Sequence, residues 1–158
     1  MAASTKPHTR PLAQNRKARH EYTIHDRLEA GLALTGTEVK AARTGKIQLR
    51  EAFIEFRDGQ AYVVGMHVSH YSHGNRENHE PERPRKLLLH RREIEKLAGR
   101  VQAKGYTAVP LSVYLKGHLV KMEIALVTGK KLYDKRRTER ERELEKEARD
   151  AVKMASRG

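Results

Sequence analysis

Tyr106-Thr-Ala-Val-Pro-Leu-Ser-Val-Tyr-Leu-Lys-Gly-His-Leu-Val-Lys-Met-Glu-Ile-Ala-Leu-Val127 is the stretch on which the fold turns. β-Branched and aromatic residues mark a strand from Tyr106 to Tyr114, and an apolar run marks a second from Val120 to Val127. Lys116-Gly117 between them predicts a hairpin turn. Both runs are apolar over too many consecutive positions for simple alternation, so burial on two sides is expected. Pro110 cannot donate to a strand ladder and points to an edge, a bulge or the rim of a barrel.

Working back from this hairpin, Ile94, Leu97, Ala98 and Val101 recur at helical spacing, which predicts a one-faced helix ending near Gly105. Leu87-Leu88-Leu89 precedes it. The polar segment from Ser69 to Pro84, with Gly74, Asn75, Asn78 and Pro81, reads as a long surface loop. Phe53-Ile-Glu-Phe56 and Ala61-Tyr-Val-Val64 flank Asp58-Gly59, a strong hairpin signal. Thr37 is placed to cap a short helix through Val39, Lys40 and Ala41 that ends near Gly45. Leu32 and Leu34 alternate between Gly31 and Gly36, and Tyr22 and Ile24 mark the first strand. Five or six short, mostly antiparallel strands with one intervening helix predict a mainly β fold, a small closed barrel over residues 20–129.

The two ends differ in composition from this core. Residues 1–19 carry Lys6, Arg10, Arg16, Lys17 and Arg19 with no acidic residue, and read as a basic arm. Residues 130–158 read as a basic tail, whose few apolar side chains, Leu144, Ala148, Ala151, Val152 and Ala155, make only a thin helical stripe. Pairs such as Glu143 with Lys146 support a helix there, each by roughly 0.2–0.5 kcal/mol, so the tail is expected to become helical only when bound. Lys and Arg number 33 against 20 Asp and Glu, a formal charge of +13 that calls for a polyanionic partner. Clusters at Arg16 to Arg19, Arg83 to Lys86, Arg91-Arg92 and Lys130 to Arg137 are suited to phosphates. Aromatic residues make up only 5% of the chain, which favours a structured RNA over a stacked single strand. The sequence has no Cys, no apolar run of membrane-spanning length and no signal peptide, which fits the cytoplasm and no membrane partner.

Catalysis finds little support. No phosphate-binding loop, nucleophile motif or paired-carboxylate signature is present, although Glu29 and Glu38 would be the carboxylates to consider for a shared groove. His67, His70 and His73 recur three apart with His79 nearby, yet no accompanying carboxylate or second motif makes them a metal site; a solvated or RNA-facing set is expected. No catalytic residue, metal or cofactor is expected. A generic structured-RNA chaperone, a ribosomal structural protein and a histidine metalloenzyme stand as alternatives to a specific RNA adaptor.

Four motifs, taken in order, sharpen this reading: Asn15-Arg-Lys-Ala-Arg-His-Glu-Tyr22, Glu29-Ala-Gly-Leu-Ala-Leu-Thr-Gly-Thr-Glu-Val-Lys40, Arg85-Lys-Leu-Leu-Leu-His-Arg-Arg-Glu-Ile94 and Gly129-Lys-Lys-Leu-Tyr-Asp-Lys-Arg136. Together they closely resemble the SmpB (SsrA-binding protein) family over residues 15–158. The resemblance implies an oligonucleotide-binding-type closed barrel with peripheral helices. It also implies binding of transfer-messenger RNA and a part in trans-translation, the rescue of stalled ribosomes with peptide tagging. Asn15, Glu29 and Leu88 match positions that touch the tRNA-like part of that RNA, with Glu29 as a hydrogen-bonding residue and Leu88 packing on the elbow. Arg16, Lys17, Arg19, Lys40, Arg85, Lys86 and Arg91 are the accompanying RNA contacts. Gly129 matches the junction to the tail. Lys130, Lys131, Tyr133, Asp134, Lys135, Arg136 and Arg137 fall in the segment that the family places in the decoding region on small-subunit rRNA, with the rest of the tail in the empty mRNA channel. Some family members carry His where this chain has Tyr133, so the resemblance implies stacking and hydrogen bonding there and no role that needs imidazole protonation. Elongation factor Tu with GTP is implied as a partner in the delivery complex.

Overall fold

The structure, a computed structural model, describes residues 9–71, 78–103, 105–130 and 140–151. In chain order its elements are β1 (Thr9–Gln14), α1 (Arg16–Glu21), β2 (Tyr22–Leu32), α2 (Gly36–Arg43), β3 (Ile47–Gln48), β4 (Phe53–Arg57), β5 (Gln60–Val64), β6 (His67–Val68), β7 (Arg85–Leu88), α3 (Arg91–Gln102), β8 (Tyr106–Lys116) and β9 (Leu119–Gly129). The chain divides into two units, Met1–Thr128 and Gly129–Gly158. In the second, residues 140–151 are helical, and every one of them is exposed.

The β8–β9 hairpin is the backbone of the first unit. Its strands pair antiparallel from Tyr106–Thr128 to Lys116–Leu119, and the register slips between Pro110 and Ser112. Of the three places open to Pro110, the bulge is the one taken: β8 lies between β1 and β9, and the extra residue absorbs the missing donor. Burial on both faces follows from the apolar runs. Ala108, Val113, Met122, Ile124 and Leu126 enter the main core, while Val109, Leu111, Ala125 and Val127 form a second cluster under Ala18 of α1. Each of the larger branched side chains, removed from water, stabilises the fold by roughly 1.5–3 kcal/mol.

A closed barrel is not what forms. The large sheet has seven strands in the order β1-β8-β9-β2-β7-β5-β4, with β3 and β6 as a separate pair, and among the described residues no sheet closes on itself. The physical reason lies in β8. Its two hydrogen-bonding edges are already taken by β1 and β9, so β4 packs against it without joining the ladder. The sheet curls, but its edges at β1 and β4 stay open. Among the described residues nine strands stand where five or six were expected, because the two-residue β3 and β6 and the N-terminal β1 carry little apolar pattern of their own.

Three further expectations change. From Thr9 onward the expected basic arm is part of the fold, since backbone pairing of β1 to β8 needs no apolar run and Ala18 is buried. The cap of α2 is Thr35, two residues before Thr37: its hydroxyl accepts from the Glu38 amide at 3.4 Å, and Glu38 Oε1 accepts from the Thr35 amide at 2.8 Å, a reciprocal capping box. The polar stretch before β7 is not all surface. His79 is buried, with Nδ1 2.9 Å from Thr37 Oγ1 and Nε2 2.8 Å from the Val68 carbonyl. The Asp58-Gly59 turn forms as read, with both residues at positive φ, 49° and 73°. The helix predicted from Ile94 to Val101 is α3, and it buries Ile94 and Leu97.

Candidate nucleic-acid interface

Glu29 on β2, and Lys86 and Leu88 on β7, are brought together because Gly31 pairs with Leu88 across the β2–β7 ladder. They line one side of an open groove of about 500 Å³, together with Lys121 of β9 and His90 and Glu93 at the start of α3. Leu88 is 55% exposed beside the core. Gly31 is what allows it: a Cβ there would lie 3.0 Å from Leu88 Cβ.

The Glu29 carboxylate is held from β8. Tyr114 Oη donates to Oε2, and Lys116 Nζ lies 3.2 and 3.4 Å from the two oxygens. The phenol's hydrogen bond, with help from Lys116 and against the partial burial of the site, keeps the Glu29 carboxyl below its ordinary range. Burial and the neighbouring carboxylate push the Tyr114 phenol up in turn. Glu29 is therefore an ionised acceptor in a basic surround, suited to a hydrogen-bond donor on RNA rather than to a phosphate.

Asn15, Arg16 and Lys17 form a second group. They line a shallow site of about 510 Å³ with Gln48 and Arg50. Lys17 is paired with Glu51 at 2.7 Å, and that partner raises its pKa. Gln14 lines this site and also a cleft of about 360 Å³ that contains Glu29 and Tyr114. Gln14 and Glu29 thus link the two groups through this cleft, across β1, β8, β9 and β2.

Two expected RNA contacts have other duties. Asn15 is buried: Nδ2 donates to the Pro110 carbonyl at 2.8 Å and the Leu49 carbonyl at 3.3 Å, and Oδ1 caps α1 through the Ala18 amide at 3.1 Å. It serves the Pro110 bulge. Arg85 is fully buried. Its Nε donates to Glu38 Oε2 at 2.5 Å, and its other nitrogens reach the carbonyls of Met66, Pro81 and Glu80 at 2.8, 2.9 and 3.1 Å. Arg83 completes the network by donating to Glu38 Oε1 at 2.6 Å. Glu38, also fully buried, is thereby removed from any groove shared with Glu29. Burial alone would raise its pKa, but Arg83, the Thr35 amide and Arg85 together hold it below the ordinary value.

Among the rest, Arg16 and Arg19 are exposed on α1, and Arg91 is exposed on α3 beside Glu95 at 3.1 Å. Lys40 stands 5.6 Å from the Tyr71 ring centroid. Gly129 ends β9 and Lys130 follows it; Lys131, Tyr133, Asp134, Lys135, Arg136 and Arg137 lie outside the described residues. Tyr114, Lys116, Lys121 and Arg50 are site residues that the sequence reading missed. The signal for the first two was missed because the strand was read as ending at Tyr114 with Lys116 in the turn; β8 runs on to Lys116, and a spacing of two on one strand puts both side chains on one face. Of the histidines, His67 lies 3.6 Å from Glu82, His70 packs edge-on to His79, and His73 lies outside the described residues. No cluster of three or more His, Asp or Glu that could hold a metal occurs among the described residues. Nor is any described helix long and apolar enough to cross a membrane.

Comparison with known proteins bears on this surface. A family model described as SmpB protein matches residues 12–154. The chain is 50% identical over 147 residues to the SsrA-binding protein of Shouchella clausii, covering 93% of this chain and 94% of the relative. It is 51% identical over 149 residues to that of Bifidobacterium adolescentis, covering 94% of each. It is also similar to a solved structure described as "tmRNA-SmpB: a journey to the center of the bacterial ribosome". There the identity is 43% and the TM-score 0.66, over 78% of this chain and 87% of that one.

Proposed function

The chain belongs to the SmpB family, and from that premise we propose that the groove between β2, β7 and α3 receives transfer-messenger RNA for delivery to stalled ribosomes. SmpB-family proteins are non-catalytic RNA-binding adaptors that act in ribosome rescue, so affinity and shape, not bond chemistry, are what the residues must supply. The observation that carries the assignment to the groove is the meeting of Glu29, Lys86 and Leu88 in one open site. An acceptor, a cation and an exposed apolar side chain together suit a folded RNA whose bases are partly unstacked. Arg16, Lys17, Arg19, Lys40 and Arg91 add phosphate contacts that set affinity and salt dependence.

The tail has the other half of the work. Residues 130–137 enter the decoding region against small-subunit rRNA, and the helix beyond them occupies the mRNA channel when no message fills it. Tyr133 stacks or hydrogen-bonds there in place of His. The ribosome performs peptide transfer; elongation factor Tu with GTP travels in the delivered complex, and the work is done in the cytoplasm. The deciding experiment is competition binding of transfer-messenger RNA against bulk tRNA at near-physiological salt. A strong preference for the former is expected, and equal affinities overturn the reading.

A further inference from the structure

Tyr114 stands in the sheet with β9 between its own strand and that of Glu29, yet its hydroxyl reaches the carboxylate. Two strand spacings are about 9.5 Å, a gap that a tyrosine and a glutamate bridge only when both extend toward each other. Lys116, two residues on, projects from the same face and takes the same carboxylate. The Pro110 bulge lies just before this segment and sets its register: after the slip, Tyr114 pairs with Lys121 and Ser112 with Glu123.

We infer that Tyr114 is a positioning residue for RNA recognition: its hydroxyl fixes the Glu29 carboxylate in one orientation on the β8-facing side of the groove that Glu29 lines, so that the RNA meets an acceptor already held in place. The inference rests on the assignment of the groove to transfer-messenger RNA. A glutamate side chain on an open surface samples many rotamers, and binding must freeze them; one tied to Tyr114 and Lys116 has lost that freedom before the RNA arrives. Tyr114 is itself half-buried against β1, opposite Pro11, so the anchor is steadier than the group it holds. Nothing in this role asks Tyr114 to touch the RNA.

The test is a double-mutant cycle on the full-length protein, with Tyr114→Phe, Glu29→Gln and the pair, each measured for affinity to transfer-messenger RNA at pH 7. Tyr114→Phe keeps the ring and removes only the hydroxyl, so unfolding is not expected and an unchanged thermal midpoint checks it. The expected result is a loss of roughly three- to tenfold for Tyr114→Phe, and no further loss when it is added to Glu29→Gln. Equal losses in both backgrounds, or wild-type affinity for Tyr114→Phe, overturn the inference while leaving the groove reading intact. Wild-type affinity for Glu29→Gln overturns the groove reading and the inference with it. A pH series gives a second readout. The advantage of the wild type over the Glu29→Gln variant disappears as acid protonates the carboxylate, and Tyr114→Phe moves that midpoint upward, which a loss of packing would not do. The groups facing Glu29 in that series are Tyr114 and Lys116 of β8, Lys121 of β9, Lys86 of β7, and His90 and Glu93 beside α3. Glu123 of β9 faces Tyr114. An unmoved midpoint overturns the inference.

Discussion

Replacing Arg85 by alanine leaves the Glu38 carboxylate buried with Arg83 as its remaining cation and takes a donor from the carbonyls of Met66, Pro81 and Glu80. Removing one member of a buried pair costs about 3–5 kcal/mol, so Arg85→Ala is expected to lower the urea midpoint sharply, and an unchanged midpoint would contradict the buried network. Acid attacks the same site. Because the folded Glu38 pKa lies below its ordinary 4.5, its contribution is complete above that value and is lost as pH falls through the folded one. Wild-type stability should therefore decline in acid below about pH 4.5, a decline that Glu38→Gln flattens. Gly31 works through the surface instead. Gly31→Ala puts a methyl 3.0 Å from Leu88 Cβ and 3.3 Å from its Cδ1, so Leu88 must shift. RNA affinity is expected to fall while the fold persists; full affinity would show that the position of Leu88 does not matter.

The elements of this protein are short, and their ends are fixed by particular side chains. The capping box on α2 ties Thr35 to Glu38, the same glutamate that anchors Arg83 and Arg85, so helix start and buried ion pair share one residue. Thr35→Ala is expected to cost about 1 kcal/mol of stability in denaturant titration. A loss well beyond that would show that the cap also orients Glu38 for the arginines. Asn15 plays a comparable part between α1 and the Pro110 bulge, capping the helix with one side-chain atom and satisfying the bulge carbonyl with another. Resemblance implied RNA contact for Asn15 and Arg85; their hydrogen bonds give both a structural duty that sequence spacing does not reveal, since the Pro110 carbonyl and Glu38 lie tens of residues away. The turn at Asp58-Gly59, by contrast, was legible because its signal is entirely local.

At the scale of the whole molecule, the chain separates into a unit that folds around β8 and β9 and a C-terminal unit whose helix, residues 140–151, is exposed along its length. Deleting residues 137–158 is expected to spare transfer-messenger RNA binding and abolish peptide tagging, measured side by side. Normal tagging after that deletion would remove the tail from the mechanism. The sequence by itself determined the β8–β9 hairpin, the helix at Ile94 to Val101, the polyanionic partner and, through its four motifs, the family, because each of these is carried by neighbouring residues or by their order. The open sheet, the burial of Glu38 with Arg85, and the grip of Tyr114 and Lys116 on Glu29 were decided only by tertiary structure. Charge in a sequence looks alike whether it faces solvent, RNA or a buried partner. Which edge of a strand is already paired, and which carboxylate an arginine meets, depend on contacts between residues far apart in the chain.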